Sequence, residues 1–208
     1  MNDLFGATSL SAAAGLVALA VVPLALMTLT SFAKIAVVLS TLRNALGAPD
    51  VPSAAIITAV ALSLSVYVMA PVFDQVDQQW DHHNAGNLSA LLSAVKQPVQ
   101  QFLKRNAGEG ELALLVDLRK QRGLTGSADD LSVLWAGFAL SELKQAFLLG
   151  FFVYLPFLVL DLVVAHVLLA LGLHGLTPHV VALPFKLLLF VSVDGFALVS
   201  KALVLSYS

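Results

Sequence analysis

The chain has no cysteine. That excludes structural disulfides, thiolate metal sites and thiol catalysis, and it leaves the compartment open. Charge is nearly as scarce. Only 12% of the 208 residues are charged, about half the share of a soluble domain, so a soluble globular fold does not fit. Net charge is −2, and no basic surface argues for nucleic acid. The start, Met1-Asn2-Asp3, lacks the basic region of a signal peptide, and the first cation is Lys34. The first apolar stretch is therefore expected to be retained.

Catalytic patterns are also missing. There is no HExxH, GxSxG or phosphate-binding glycine loop. Asp161 and Asp194 are the carboxylates an intramembrane aspartyl protease would need, but the GxGD pattern of such enzymes is absent. His82-His83 beside Asp81 has metal-ligand chemistry. Adjacent histidines on a polar segment are ordinarily just surface. His166, His174 and His179 are the residue type a proton relay would use, yet no spacing joins them into one.

What the chain does have is long apolar runs. Residues 4–33 carry no charge, and neither do residues 51–73; both are long enough to span a bilayer. Pro23 is expected to kink or break the first run. Gly47, Pro49 and Pro52 mark a turn between the two. Together they predict a helical hairpin over 1–73. Lys34 and Arg43 lie near the turn, and the positive-inside tendency assigns that turn to the cytoplasm. Both chain termini and the next segment then face the periplasm.

Composition changes at Asp74. Residues 74–144 hold seven Lys/Arg and nine Asp/Glu. Leu88, Leu91, Leu92, Val95, Val99, Phe102 and Leu103 follow helical spacing, with Pro98 expected to kink or divide that helix. NAGEG (106–110) and RGLTG (122–126) are breakers. Ser127 and Asp130 are spaced like a capping box. The reading is a small polar helical block over 74–131, inserted outside the membrane.

From residue 132 to 208 the chain is apolar again. Ser141-Glu142-Leu143-Lys144 precedes an uncharged run, Asp161 interrupts it, and Gly172, Gly175 and Pro178 break it before a last helix from about Val180. The fold class is all-α: membrane-associated helical hairpins with a helical extramembrane insertion. No internal repeat stands out.

The last helix is the informative one. Residues 183–204 include thirteen Leu, Val and Phe, worth roughly −4 to −8 kcal/mol of insertion free energy. Asp194 costs about 2.5–3.5 kcal/mol near the bilayer centre, and Lys186 and Lys201 add comparable costs unless they snorkel. The sum is near break-even. On one continuous helix the three charges fall within about 80° of one another. Such a stripe suits a helix packed against other subunits or lining a wet channel. The plainer alternative is a set of internal pairs that only aid packing.

Four stretches, TSFAKIAVVLSTLRNALG (30–47), VMAPVF (68–73), FALSELKQAFLLGFFVYLPFLVLDLVVA (138–165) and LPFKLLLFVSVDG (183–195), resemble the FliP/SctR family of export-gate proteins of bacterial flagella and type III secretion injectisomes. Order and spacing fit along nearly the whole chain; the 74–130 block matches in character only. The resemblance implies no enzyme activity and no cofactor. It implies five copies assembling with two smaller partner families into a closed helical cone in the bacterial inner membrane. That cone is the entrance of a channel for unfolded secreted proteins, working with the other components of the export apparatus. Much of each subunit would then sit above the bilayer plane, with protein rather than lipid around its charges.

Within the resemblance, Glu142 and Lys186 occupy the family's SEL and LPFK positions and are expected to pair between neighbouring subunits. Lys34, Arg43, Asp161, Asp194 and Lys201 are the other candidate buried or intersubunit charges. Flagellar members carry a methionine triplet in the loop before LPFK, held to act as a gasket. Here the aligned residues are Leu173, His174 and Gly175. With Leu176 they form the expected pore loop near 172–179. The missing methionines and missing signal peptide favour the injectisome branch; a flagellar subunit is the alternative. A proton-coupled small-molecule or ion transporter is the alternative of a different class, and inverted repeats would support it.

Overall fold

The computed structural model describes residues 20, 23–48, 52–80, 88–124 and 127–207. The described residues form eight helices: α1 (Pro23–Leu29), then α2 (Phe32–Leu46), α3 (Ala54–Gln79), α4 (Leu88–Asn106), α5 (Glu109–Gln121), α6 (Leu131–Ala170), α7 (Pro178–Ser192) and α8 (Gly195–Leu205). By length and composition α3 and α6 can each cross a membrane. Counting each bent pair, α1–α2 and α7–α8, as one span gives four.

Local chemistry sets most boundaries. α2 ends at Gly47, whose φ of 81° is the left-handed conformation glycine adopts at low cost. α3 begins at Ser53, whose side chain accepts from the Ile56 N–H at 3.4 Å, as an N-cap should. Pro178 opens α7, where its missing N–H costs nothing. Asn106 ends α4 and Glu109 opens α5, so NAGEG acts as the expected breaker.

Some expectations need correction. A bend of 79° lies between Leu29 and Phe32; residues 21 and 22, beside the kink expected at Pro23, lie outside the described residues. Hydroxyls stabilise it: Ser31 Oγ donates to Ser65 Oγ at 3.1 Å and Ser65 Oγ to Thr30 Oγ1 at 3.2 Å, while the Phe32 N–H donates to Thr30 Oγ1. Pro98 does not divide α4, which stays helical through it. Ser127 is not the cap of α6. Its Oγ accepts from the Asp129 N–H at 3.0 Å, and Asp130 is the N-cap residue. The composition change at Asp74 falls inside α3 rather than at its end.

The largest correction concerns residues 183–204. They are not one helix. α7 and α8 meet at a 60° bend, where Asp194 has φ 48°. Aspartate is one of the few residues that tolerates this region. Gly195 follows because a Cβ there would sit 2.1 Å from the Phe190 ring. The supposed single stripe is thereby split. Lys186 turns inward and is buried, while Asp194 and Lys201 remain exposed.

The helices pair as two hairpins. α2 and α3 form the first. α6 and the α7–α8 pair form the second, with Asp161 meeting Lys186 and Glu142 meeting Tyr207. α2 lies along α6 in the same direction: Lys34 meets Glu142, and Thr41 lies 3.2 Å from where a Cβ on Gly150 would be. Small residues allow such close approach in apolar bundles. The core between the hairpins includes Ile35, Val38, Leu39, Leu42, Ala61, Ala146 and Phe190. A second core, Met69, Val72, Phe102, Leu103, Leu134 and Phe138, joins the polar block to α3 and α6.

Candidate functional site

Four of the seven predicted charges gather into two clamps, one at each end of α2. They lie about 16 Å apart along its axis.

The first clamp is built on Lys34, in the first turn of α2. Its side chain is 1% exposed, as is that of Glu142. Lys34 Nζ donates to Gln145 Oε1 at 2.9 Å, stands 3.1 Å from Glu142 Oε1 and lies 3.6 Å from the centre of the Tyr207 ring. The Tyr207 hydroxyl donates to Glu142 Oε2. A buried cation thus has a carboxylate, an amide oxygen and an aromatic face, and the carboxylate has both the cation and a phenol. Buried charge is tolerated when it is paired and hydrogen-bonded in this way. The Tyr207 ring also stacks on Phe102 of α4 at 6.1 Å. One residue near the chain's end therefore ties α2, α6 and the polar block together.

The second clamp is built on Lys186 in α7. Its side chain is also 1% exposed. Nζ donates to Asp161 Oδ2 at 2.7 Å and to the Ala45 carbonyl at 3.1 Å. Ala45 lies in the last turn of α2, whose carbonyls lack helical partners and attract cations. Asp161 is less enclosed, at 23% exposed, and its Oδ1 has no partner among the described residues. His179 Nδ1 stands 3.8 Å from Asp161 Oδ2, and its ring, 51% exposed, covers Gly47, at 2.7 Å from where a Cβ would sit.

Glu142 and Lys186 do not meet within the chain. Each belongs to a different clamp. Within the chain Glu142 is held by Lys34 and Lys186 by Asp161. Asp194 and Lys201 are exposed, and neither has a partner among the described residues. Arg43 is half-buried, with Nε unpartnered among the described residues. Leu173, His174, Gly175 and Leu176 lie in the exposed loop between α6 and α7. That loop stands at the same end as the Gly47 turn, held there by the second clamp. His82 and His83 lie outside the described residues.

Sequence reasoning missed Tyr207, Gln145 and the Ala45 carbonyl. Tyr207 offered a weak signal: a polar aromatic at the end of an apolar run wants a hydrogen-bond partner. It also missed the anchor of the polar block. Ser141 Oγ accepts from the Gly108 N–H at 2.7 Å, and Lys144 Nζ donates to Glu111 Oε1 at 2.7 Å. The Lys144 contact draws the Glu111 carboxyl below its ordinary value, and a backbone hydrogen bond adds to this.

Comparison with known proteins adds a second line. The FliP family matches residues 16–203. A protein named pathogenicity-related ORF2 from Xanthomonas campestris pv. glycines is 44% identical, over 91% of this chain and 92% of its own. The hypersensitivity response secretion protein HrcR of Ralstonia nicotianae is 41% identical, over 92% and 94%. The flagellar biosynthetic protein FliP of Pectobacterium carotovorum subsp. carotovorum is 41% identical, over 92% and 76%.

Proposed function

The chain belongs to the FliP family, and from that premise we propose how it works as a core export-gate subunit of a type III secretion system. It is a helical membrane protein of a secretion channel. In our reading it does no chemistry of its own. Several copies, five by resemblance, line the entrance through which unfolded proteins leave across the inner membrane, together with two smaller helical subunit families. The 74–131 block faces the periplasm, and the loop around Leu173 and Leu176 narrows the pore.

The observation that carries this reading is the shape of α6. It has 40 residues, so it is about 60 Å long, while the bilayer's hydrocarbon core is about 30 Å thick. Phe147, Phe151, Phe152, Leu158, Val159, Leu162 and Val163 are all exposed along it. A helix twice the thickness of the membrane with an apolar outer face calls for protein neighbours beyond the lipid. A ring of copies that rises out of the bilayer supplies them. The Leu-His-Gly loop in place of a methionine gasket supports the injectisome branch.

The test is to purify the tagged chain from membranes of cells making the whole export apparatus and to determine the complex by single-particle reconstruction. The expected result is a ring of several copies with small helical subunits. A lone chain in detergent, with secretion unaffected by its deletion, sinks the reading.

A further inference from the structure

From residue 131 to 207 the chain carries three acids and three lysines: Glu142, Asp161, Asp194, Lys144, Lys186 and Lys201. Four are paired in the structure. Glu142 holds Lys34, Asp161 holds Lys186, and Lys144 holds Glu111. Two are left, one of each sign. Asp194 heads α8 without capping it through its side chain, and Lys201 lies two turns further on. Both are exposed, and neither has a partner among the described residues.

Leu198, Lys201 and Leu205 form an apolar stripe around the lysine, within about 60° on one face of α8. Asp194, in the left-handed conformation, stands at the head of the helix off that repeat. Leu198 is 60% and Leu205 58% exposed. The acid and base of one copy stand about 10 Å apart along the axis, beyond the three- and four-residue spacings at which side chains on a helix pair. An anionic lipid headgroup would satisfy Lys201 but leave Asp194 bare. One neighbouring copy of α8, staggered by two turns, meets Asp194 with its Lys201, another meets Lys201 with its Asp194, and between them they cover the leucines.

We propose that this stripe docks on the next copy of the same chain, with Asp194 of one copy paired to Lys201 of its neighbour. The contact joins two different patches, so it is heterologous and repeats around a closed ring. Each copy gives one acid to one side and one base to the other, and closure leaves no charge unpaired. Tilt of α8 against the ring axis supplies the stagger. The inference rests on the proposed assembly of several copies and names the surface that makes it.

The absence of cysteine permits a direct test. Asp194→Cys, Lys201→Cys and the double variant are made in cells producing the full export apparatus, and membranes are treated with a short bis-maleimide. The double variant should give a ladder of trimers and higher species, while each single variant stops at dimer or monomer. A double variant that never exceeds dimer, in a complex that keeps its full mass on a native gel, overturns the contact and leaves the assembly standing. A product the size of one chain plus a smaller subunit, without the ladder, also overturns it. A wild-type complex holding one copy overturns the assembly and the contact with it. Charge reversal is the second arm. Asp194→Lys or Lys201→Asp should each lower the yield of complex about tenfold or more through like-charge contact, and the double reversal should restore it. Single reversals that assemble like wild type overturn the pairing.

Discussion

At one end of α2, Lys34 sits in a sealed site with Glu142, Gln145 and the ring of Tyr207. At the other end, Lys186 meets Asp161 beside a half-exposed histidine and an exposed loop. Both clamps hold a lysine that is 1% exposed, but the carboxylates differ: Glu142 is 1% exposed and Asp161 23%. The first clamp locks the hairpins to the polar block through Tyr207 and Phe102. The second holds the end that carries the loop, and its carboxylate is partly open at the surface. A sealed clamp and an open one on the same helix should tolerate substitution unequally.

The sharpest way to break that comparison is Glu142→Ala. It leaves Lys34 buried with an aromatic face and an amide but no counter-charge. Removing one member of a buried pair costs about 3–5 kcal/mol, a large part of a domain's stability. Thermal unfolding of the detergent-purified protein should show the lowest midpoint of all the variants. Lys34→Met combined with Glu142→Leu should recover most of the loss, because no charge is then stranded. If Glu142→Ala alone melts like wild type, the clamp is not an anchor.

Lys186→Ala comes next. It strands Asp161, but Asp161 can turn to water or to His179, so a loss of about 1–3 kcal/mol is expected. Its unfolding midpoint should fall between those of Glu142→Ala and wild type. Spin labels at Asn44→Cys and Leu176→Cys should report a broader distance distribution as the loop loosens. Equal destabilisation by both substitutions would erase the distinction between sealed and open clamps.

How much of this was legible before the structure depends on which residue is asked. The hairpins, the polar insertion and most breaks followed from apolar runs and from Gly47, Pro178 and the NAGEG turn, because backbone chemistry there is local. The charges Lys34, Glu142, Asp161 and Lys186 were visible as candidates for the same reason: each interrupts an apolar run. Their pairing was not legible. Lys34 and Glu142 are brought together only by the parallel packing of α2 on α6, which no local spacing encodes. The break at Asp194 was missed although Asp194-Gly195 is a turn signal, because the apolar run on both sides outweighed it; the need for glycine there comes from the Phe190 ring. Tyr207 was missed because the residues it touches, Lys34, Glu142 and Phe102, come from three distant elements.

Tyr207→Phe probes the sealed clamp more gently. The ring stays, so the face over Lys34 and the stack on Phe102 stay with it, while Glu142 Oε2 loses its donor. A loss of about 1–2 kcal/mol is expected. Tyr207→Ala should cost more, since it also removes the ring. If Phe and Ala are equivalent, the hydroxyl rather than the ring carries the residue's contribution.

The smallest effect belongs to Glu111 and Lys144, an ion pair outside both clamps. Lys144 is 74% exposed and Glu111 17%, so solvent screens this pair far more than the buried one. The hydrogen bond from Lys144, with the backbone bond, holds the Glu111 carboxyl below its ordinary value. A depressed folded-state value means the carboxylate stabilises the fold at pH above the ordinary glutamate range. That contribution is lost as pH falls through the folded-state value. Limited proteolysis of the α4–α5 block should therefore speed up on acidification. The acid-dependent part should shrink in Glu111→Gln, whose amide does not titrate. Added salt should weaken the wild-type pair toward the variant's behaviour while leaving the Lys34 clamp unmoved. Identical acid profiles for Glu111→Gln and wild type would mean that the Glu111–Lys144 pair adds nothing measurable to the fastening of the polar block on α6.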